Sequence, residues 1–94
     1  MTTRQERYFQ RNLIRDIKLL TNAIVLKNDS SLLQGFPDLT VILPCRRVVF
    51  VELKRSADAD REPNQEWYVD HLNDMQHEAW IVSPENKEEF LASL

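Results

Sequence analysis

Apolar residues recur through the first twenty positions with the period of a helix. At about 100° per residue, Phe9, Leu13, Ile17 and Leu20 share an arc of about 80°, which predicts a core-facing stripe on a helix from about Glu6 to Leu20. Arg4, Arg7, Arg11, Arg15 and Lys18 share a second arc, roughly opposite. Ala23 to Leu26 reads either as a short strand or as the end of that helix, and Lys27 to Ser31 as a polar loop. Two β-branched apolar runs follow, Leu39 to Leu43 and Val48 to Leu53, and the turn Pro44-Cys45-Arg46-Arg47 between them predicts an antiparallel hairpin. Ser56 to Glu62 is charged. Pro63 suits the first turn of a helix running to about Met75, with Gln65, Val69 and Leu72 on one face. Ala79 to Val82 is a short strand, and Ser83-Pro84-Glu85 reads as the start of a last helix ending near Leu94. The pattern is that of an α/β domain.

Glu6 interrupts the separation of polar and apolar arcs, because it projects between Leu13 and Ile17 in angle. A carboxylate aimed at the core side needs a partner or a metal. The basic arc suits either phosphate contacts or an ordinary solvated face, and its direction away from Glu6 favours the solvated face.

The 94 residues suffice for a single domain, 1–94, and a chain this short buries a modest core, which favours a partner subunit. There is no apolar run of membrane-spanning length and no signal-like leader, so no membrane partner is expected and the location is read as cytoplasmic. The single cysteine, Cys45, closes disulfide-scaffold and thiolate-cluster readings. A net charge of −3 speaks mildly against nucleic acid, although metal-site carboxylates lower the total and a phosphate backbone feels local charge.

Chemistry concentrates at the end of the second hairpin strand. Side chains alternate along a strand, so Glu52 and Lys54 share a face. Asp38 stands just before the first hairpin strand, where a short turn can bring it beside Glu52. Two adjacent carboxylates repel unless a cation lies between them, and an oxygen-only donor set suits Mg²⁺ or Mn²⁺. Lys54 would orient or help deprotonate a water and would stabilise charge on a phosphate. A glutamate and a lysine two apart are weak evidence alone, since surface strands carry such pairs as salt bridges. The weight comes from an unbroken apolar run ending on the pair, an aspartate after a proline at hairpin distance, and Gln65 at the start of the next helix.

That combination, Gly35-Phe36-Pro37-Asp38-Leu39, then Phe50-Val51-Glu52-Leu53-Lys54, then Gln65, resembles the VRR-NUC family of restriction-endonuclease-like PD-(D/E)xK nucleases, over about Glu6 to Val82. The resemblance implies a restriction-endonuclease-like α/β core, with a central mixed sheet flanked by helices, and Mg²⁺- or Mn²⁺-dependent cleavage of DNA. It assigns Asp38 and Glu52 to the metal, with the Leu53 carbonyl and Glu6 as further ligands, Lys54 to catalysis and Gln65 to support. The chain is similar to stand-alone phage or bacterial members, which resemble homodimeric Holliday-junction resolvases; a phage enzyme would act in the bacterial host cytoplasm. Where the family often has a glycine before the last strand, this chain has Met75-Gln76-His77.

Arg46 and Arg47 at the hairpin turn, with Arg55 and Arg61 near the catalytic strand, are expected to meet DNA. His71 and His77 are six apart and read as surface residues. At least two of Trp67, Tyr68 and Trp80 are expected in packing rather than base stacking. The leading expectation is a structure-selective endonuclease acting as a homodimer on branched DNA. The alternatives are a nicking or restriction-type nuclease on duplex DNA and a catalytically silent DNA-binding module.

Overall fold

The amphipathic first segment folds as helix α1, Arg4–Leu20, in the computed structural model, which describes residues 3–29, 31–60 and 62–94. Thr3 caps it: its Oγ1 accepts the Glu6 N–H at 3.1 Å, satisfying one of the free donors of the first turn. Leu13 and Ile17 are fully buried and Phe9 packs against them. Leu20, placed by its angle on the same stripe, is instead 63% exposed, because it ends the helix beyond the buried cluster. There the Thr21 N–H and hydroxyl both donate to the Ile17 carbonyl and stop the helix. The segment left open between helix and strand is a strand, β1, Ile24–Lys27.

The hairpin forms as β2, Leu39–Leu43, and β3, Arg47–Leu53. Its turn is tighter than the sequence suggests, with Cys45 at φ 63° and Arg46 at φ 65°, both in the left-handed region. Helix α2, Pro63–Asp74, crosses over to β4, Glu78–Val82, which runs parallel to β3. The last helix, α3, begins later than its Ser83-Pro84-Glu85 signature implied and spans Lys87–Ser93. Asn86 is the reason. Its Oδ1 accepts the Ser83 N–H at 2.8 Å and its Nδ2 donates to the Ile81 carbonyl at 3.0 Å, holding residues 84–86 as a turn.

The four strands form one mixed sheet in the order β1-β2-β3-β4, antiparallel except for the last pair. Alternation sorts its two faces. Leu39, Val41, Leu43, Val49, Val51 and Leu53 join Leu13, Ile17 and Phe90 in the main core, so α1 and α3 cover this face. Phe50 and Ala79 pack with Val69 and Leu72 on the other, beneath α2. Lys87 ties α3 to α1 through Asp16 at 2.6 Å, and Arg47 ties β3 to β4 through Glu78 at 2.8 Å. Helix α2 packs on β3 and β4, and on the same face of β1 and β2 the side chains of Ile24, Leu26 and Ile42 are exposed. Among the described residues no helix is long and apolar enough to cross a membrane.

The link from α2 to β4 explains how the chain manages without the glycine expected there. The His77 N–H donates to the Leu72 carbonyl and the Gln76 N–H to the Asn73 carbonyl, both at 2.9 Å, with Gln76 at φ 69°. This is a Schellman ending with a glutamine in the position glycine usually fills. A side chain there costs about 1 kcal/mol. Gln76→Gly is therefore expected to raise thermal stability by up to about 1 kcal/mol, about 4–8 °C for a domain of this size, in a calorimetric or circular-dichroism melt.

Candidate active site

The hairpin register brings the carboxylates together. Leu39 pairs with Val51, so one further step sets Asp38 opposite Glu52. Asp38 turns its carboxylate back onto the strand, where Oδ2 accepts the Leu53 N–H at 2.8 Å. Glu52 and Lys54 project toward the α2 face, on the alternation opposite to core residues Val51 and Leu53. Lys54 Nζ donates to Gln65 Oε1 at 2.5 Å and stands 3.9 Å from Glu52 Oε2. Gln65 Oε1 also accepts the Glu62 N–H at 3.4 Å, so the start of α2 is fastened to the same oxygen that holds the lysine.

Glu52 is the anomalous group. It is 1% exposed, and among the described residues its Oε1 has no hydrogen-bond partner. Burial, and after it the neighbouring charge of Asp38, push its pKa up to about 9, against a weaker downward pull from Lys54. Lys54 reaches only the other oxygen, so the idle Oε1, buried beside a second carboxylate, is left without compensation among the described residues. A hard divalent cation fits that need: Mg²⁺ binds through one or two carboxylates and completes its octahedron with water and substrate oxygens. Among the described residues no third histidine, cysteine, aspartate or glutamate joins Asp38 and Glu52 in a group that could hold a metal. Glu6 is partly buried on α1, the helix that packs on the Leu53 face, and is not gathered with them.

Two positioning residues escaped the sequence reading. Asn28 Nδ2 donates to the Pro37 carbonyl and to Thr40 Oγ1, both at 2.9 Å, and its backbone N–H donates to the Asp38 carbonyl at 2.8 Å. The side chain thus clamps the backbone on either side of Asp38. Gly35, at φ +88°, lies so close to α2 that a Cβ would sit 2.6 Å from the Asn64 Cβ. It lets the segment leading to Asp38 press against the first turn of the helix that carries Gln65. A lone asparagine in a polar loop gives no sequence signal for such a role, and the glycine shows as the first residue of the Gly35-Phe36-Pro37-Asp38-Leu39 motif and the single glycine of the chain, without its packing role.

The expected DNA-binding arginines are scattered. Arg46 and Arg47 lie at the far end of β3 from Lys54, with Arg47 about 23 Å away at roughly 3.3 Å per residue and engaged with Glu78. Arg55 borders a cleft beside α1. Arg61 lies outside the described residues. Of the aromatic rings, Tyr68 packs edge-on against Phe36 and Trp80 against Phe90, while Trp67 stays 55% exposed and stacks on His71. Both histidines are on the surface.

No family model and no curated protein matches the chain. Among solved structures, one described as "VRR_NUC domain" matches with a TM-score of 0.83 and 24% identity, covering 98% of this chain and 97% of that one. The chain therefore has the fold of a VRR_NUC domain, the mixed sheet flanked by helices that the motif resemblance implied.

The raised pKa of Glu52 makes stability fall with rising pH. The unfolded glutamate ionises near 4.5 and the folded one near 9. The stability tied to its protonated form is complete below 4.5 and is lost as the pH climbs through 9. In a chelating buffer, Glu52→Gln is expected to melt higher than the unaltered chain at pH 8 by more than about 1 kcal/mol, or about 4–8 °C. The gap should shrink toward pH 4.5. Equal melting points across that range would contradict the burial argument. Gly35→Ala meets both a strained φ and the Asn64 contact, and a loss of about 1–3 kcal/mol in a denaturant titration is expected.

Proposed function

We propose that the chain is a divalent-metal-dependent DNA endonuclease, acting as a homodimer on branched DNA. The observation carrying this reading is the buried, unpartnered Glu52 Oε1 opposite Asp38, with a lysine held beside it by Gln65. A structural ion pair would leave no idle buried oxygen and would need no second carboxylate. The likeness of fold to a VRR_NUC domain and the motif resemblance support the same class.

Asp38, Glu52 and the Leu53 carbonyl are the proposed ligands of a Mg²⁺ or Mn²⁺ ion. Two carboxylates suffice for such an ion, so the set does not require Glu6. When bound, the ion supplies a Lewis acid that polarises the phosphate and lowers the pKa of a bound water. Lys54 donates a hydrogen bond at the reacting phosphate and orients the attacking water, with its charge set against the negative charge that develops on the phosphate oxygens. Gln65 holds Nζ in place, limiting the freedom that four methylenes would otherwise allow. The Leu53 N–H fixes the rotamer of Asp38, so one carboxylate is oriented before any substrate arrives.

The homodimer is supported by the sheet face that α2 does not reach. Ile24 is 60% exposed, Leu26 48% and Ile42 37%, and all three alternate onto that face at the β1 edge. An apolar patch on an edge strand is a surface that soluble proteins usually cover. A second copy related by a two-fold axis would cover it and present two sites to two-fold-related strands of a junction.

Cleavage assays on a labelled four-way junction, a splayed arm and a linear duplex, with Mg²⁺, Mn²⁺ or EDTA, test the reading. Metal-dependent cutting with preference for the branched substrates is expected, and no cutting of any substrate with either metal would overturn it. Equal cutting of all three would leave a nuclease without branch selectivity. Asp38→Ala and Lys54→Ala are each expected to lower the rate by at least about 100-fold while DNA binding persists. Light scattering should give twice the chain mass, and Ile24→Asp should return it to one.

A further inference from the structure

An acidic chain that binds DNA must concentrate its positive charge somewhere, and the structure offers one candidate surface that the hairpin arginines do not supply. Two adjoining clefts run along the N-terminal half of α1. One, of about 670 Å³, is bordered by Arg4, Tyr8 and Asn12 on the helix and by Arg55 and Lys87 across from it. The other, of about 460 Å³, is lined by Arg4, Arg7, Tyr8 and Arg11. Among the described residues no acidic side chain lines either cleft, and Arg4 and Tyr8 are common to both. Among the described residues, Arg4, Arg7, Arg11 and Arg55 form no ion pair, whereas Arg15 on the same helix is paired with Asp16 and Lys87 with the same aspartate.

Tyr8 is 65% exposed and stands outside the Phe9, Leu13 and Ile17 stripe, at the edge of the basic arc. An aromatic ring left in water between arginines contributes nothing to the core. It is the arrangement by which proteins hold unpaired nucleotides, with cations on the phosphates and a ring against a base. From Arg4 to Arg11 the track is about 10 Å long at about 1.5 Å per residue, which spans roughly three nucleotides of a stacked strand. At its other side stands Arg55, the residue after Lys54. It lies just past the end of β3 and borders the same cleft as Arg4 and Tyr8, so the track begins one residue along the chain from the proposed reacting lysine.

We propose that this surface of α1, with Arg55, binds an unpaired segment of DNA leading away from the active site. Arg4, Arg7, Arg11 and Arg55 would meet the backbone, and Tyr8 would stack on one base. This reverses the solvated-face reading of the basic arc, and it rests on the reading of the chain as a DNA enzyme. A duplex, whose bases are already stacked, has no use for Tyr8, and the ring therefore favours a flap, a splayed arm or an open junction.

The test measures binding without cleavage, by fluorescence anisotropy of labelled splayed-arm, single-stranded and duplex DNA in EDTA, using the full chain. Tyr8→Ala is expected to weaken splayed-arm and single-strand binding about tenfold or more, to leave duplex binding within about twofold, and to be rescued by Tyr8→Phe. Arg4→Ala and Arg11→Ala should each lower the salt dependence of binding by about one counterion. Unchanged splayed-arm affinity in Tyr8→Ala, an equal loss on duplex, or no binding of any DNA would overturn the proposal. Failure is separable from that of the nuclease reading. Loss of binding in Tyr8→Ala with no cutting by the unaltered chain would support the track and sink the nuclease. Normal cutting and binding by Tyr8→Ala would do the reverse.

Discussion

Everything distinctive about this structure follows from a carboxylate buried at the end of a strand. Glu52 lies within the sheet's interior, one oxygen unpartnered, facing Asp38 across the hairpin. An isolated charge there would be expensive, and its raised pKa is the form that expense takes. The surroundings reduce the cost without removing it: Lys54 stands 3.9 Å away, and the Leu53 N–H binds the partner carboxylate. A divalent cation is the addition that would turn a destabilising pair into a stable one. The proposed chemistry and the expected loss of stability without a metal therefore have the same origin.

The fold is arranged to keep that geometry. Alternation along β3 sends Val51 and Leu53 into the core under α1 and α3 and sends Glu52 and Lys54 toward α2. The close approach of Gly35 to Asn64 fastens the segment before Asp38 to the first turn of α2, and Gln65 on that turn reaches Lys54. Asn28 closes the arrangement from the β1 side. Both hydrophobic clusters thus meet at the site, one supplying the strand and the other the helix that holds the lysine.

Charge is divided in a similar way. The hairpin arginines are too far along β3 from Lys54 to serve the proposed chemistry, and one of them is occupied in joining β3 to β4. The first helix carries its apolar stripe inward and, outward around an exposed tyrosine, arginines that form no ion pair among the described residues. A net negative chain can in this way present a locally positive face, because nearby phosphates respond to local placement within a screening length rather than to the sum.

The 3.6 repeat of α1 and the apolar runs of β2 and β3 are local properties of the chain and determined those elements, whereas β1 stayed undecided between strand and helix end. The spacing of Asp38, Glu52 and Lys54 determined the candidate triad, because a short hairpin leaves little freedom of register. Local signals misled only at element ends: Leu20 lies past the core, and Asn86 delays α3. Tertiary structure alone decided which carboxylates converge, bringing Asp38 to Glu52 and not gathering Glu6 with them, because that depends on how a helix sits over a sheet rather than on its own angle. It decided as well that Asn28 and Gly35 position Asp38, and that Arg46 and Arg47 lie far from Lys54. The contacts of Asn28 and Gly35 reach across 9 and 29 residues of chain, and nothing short of the packed molecule encodes them.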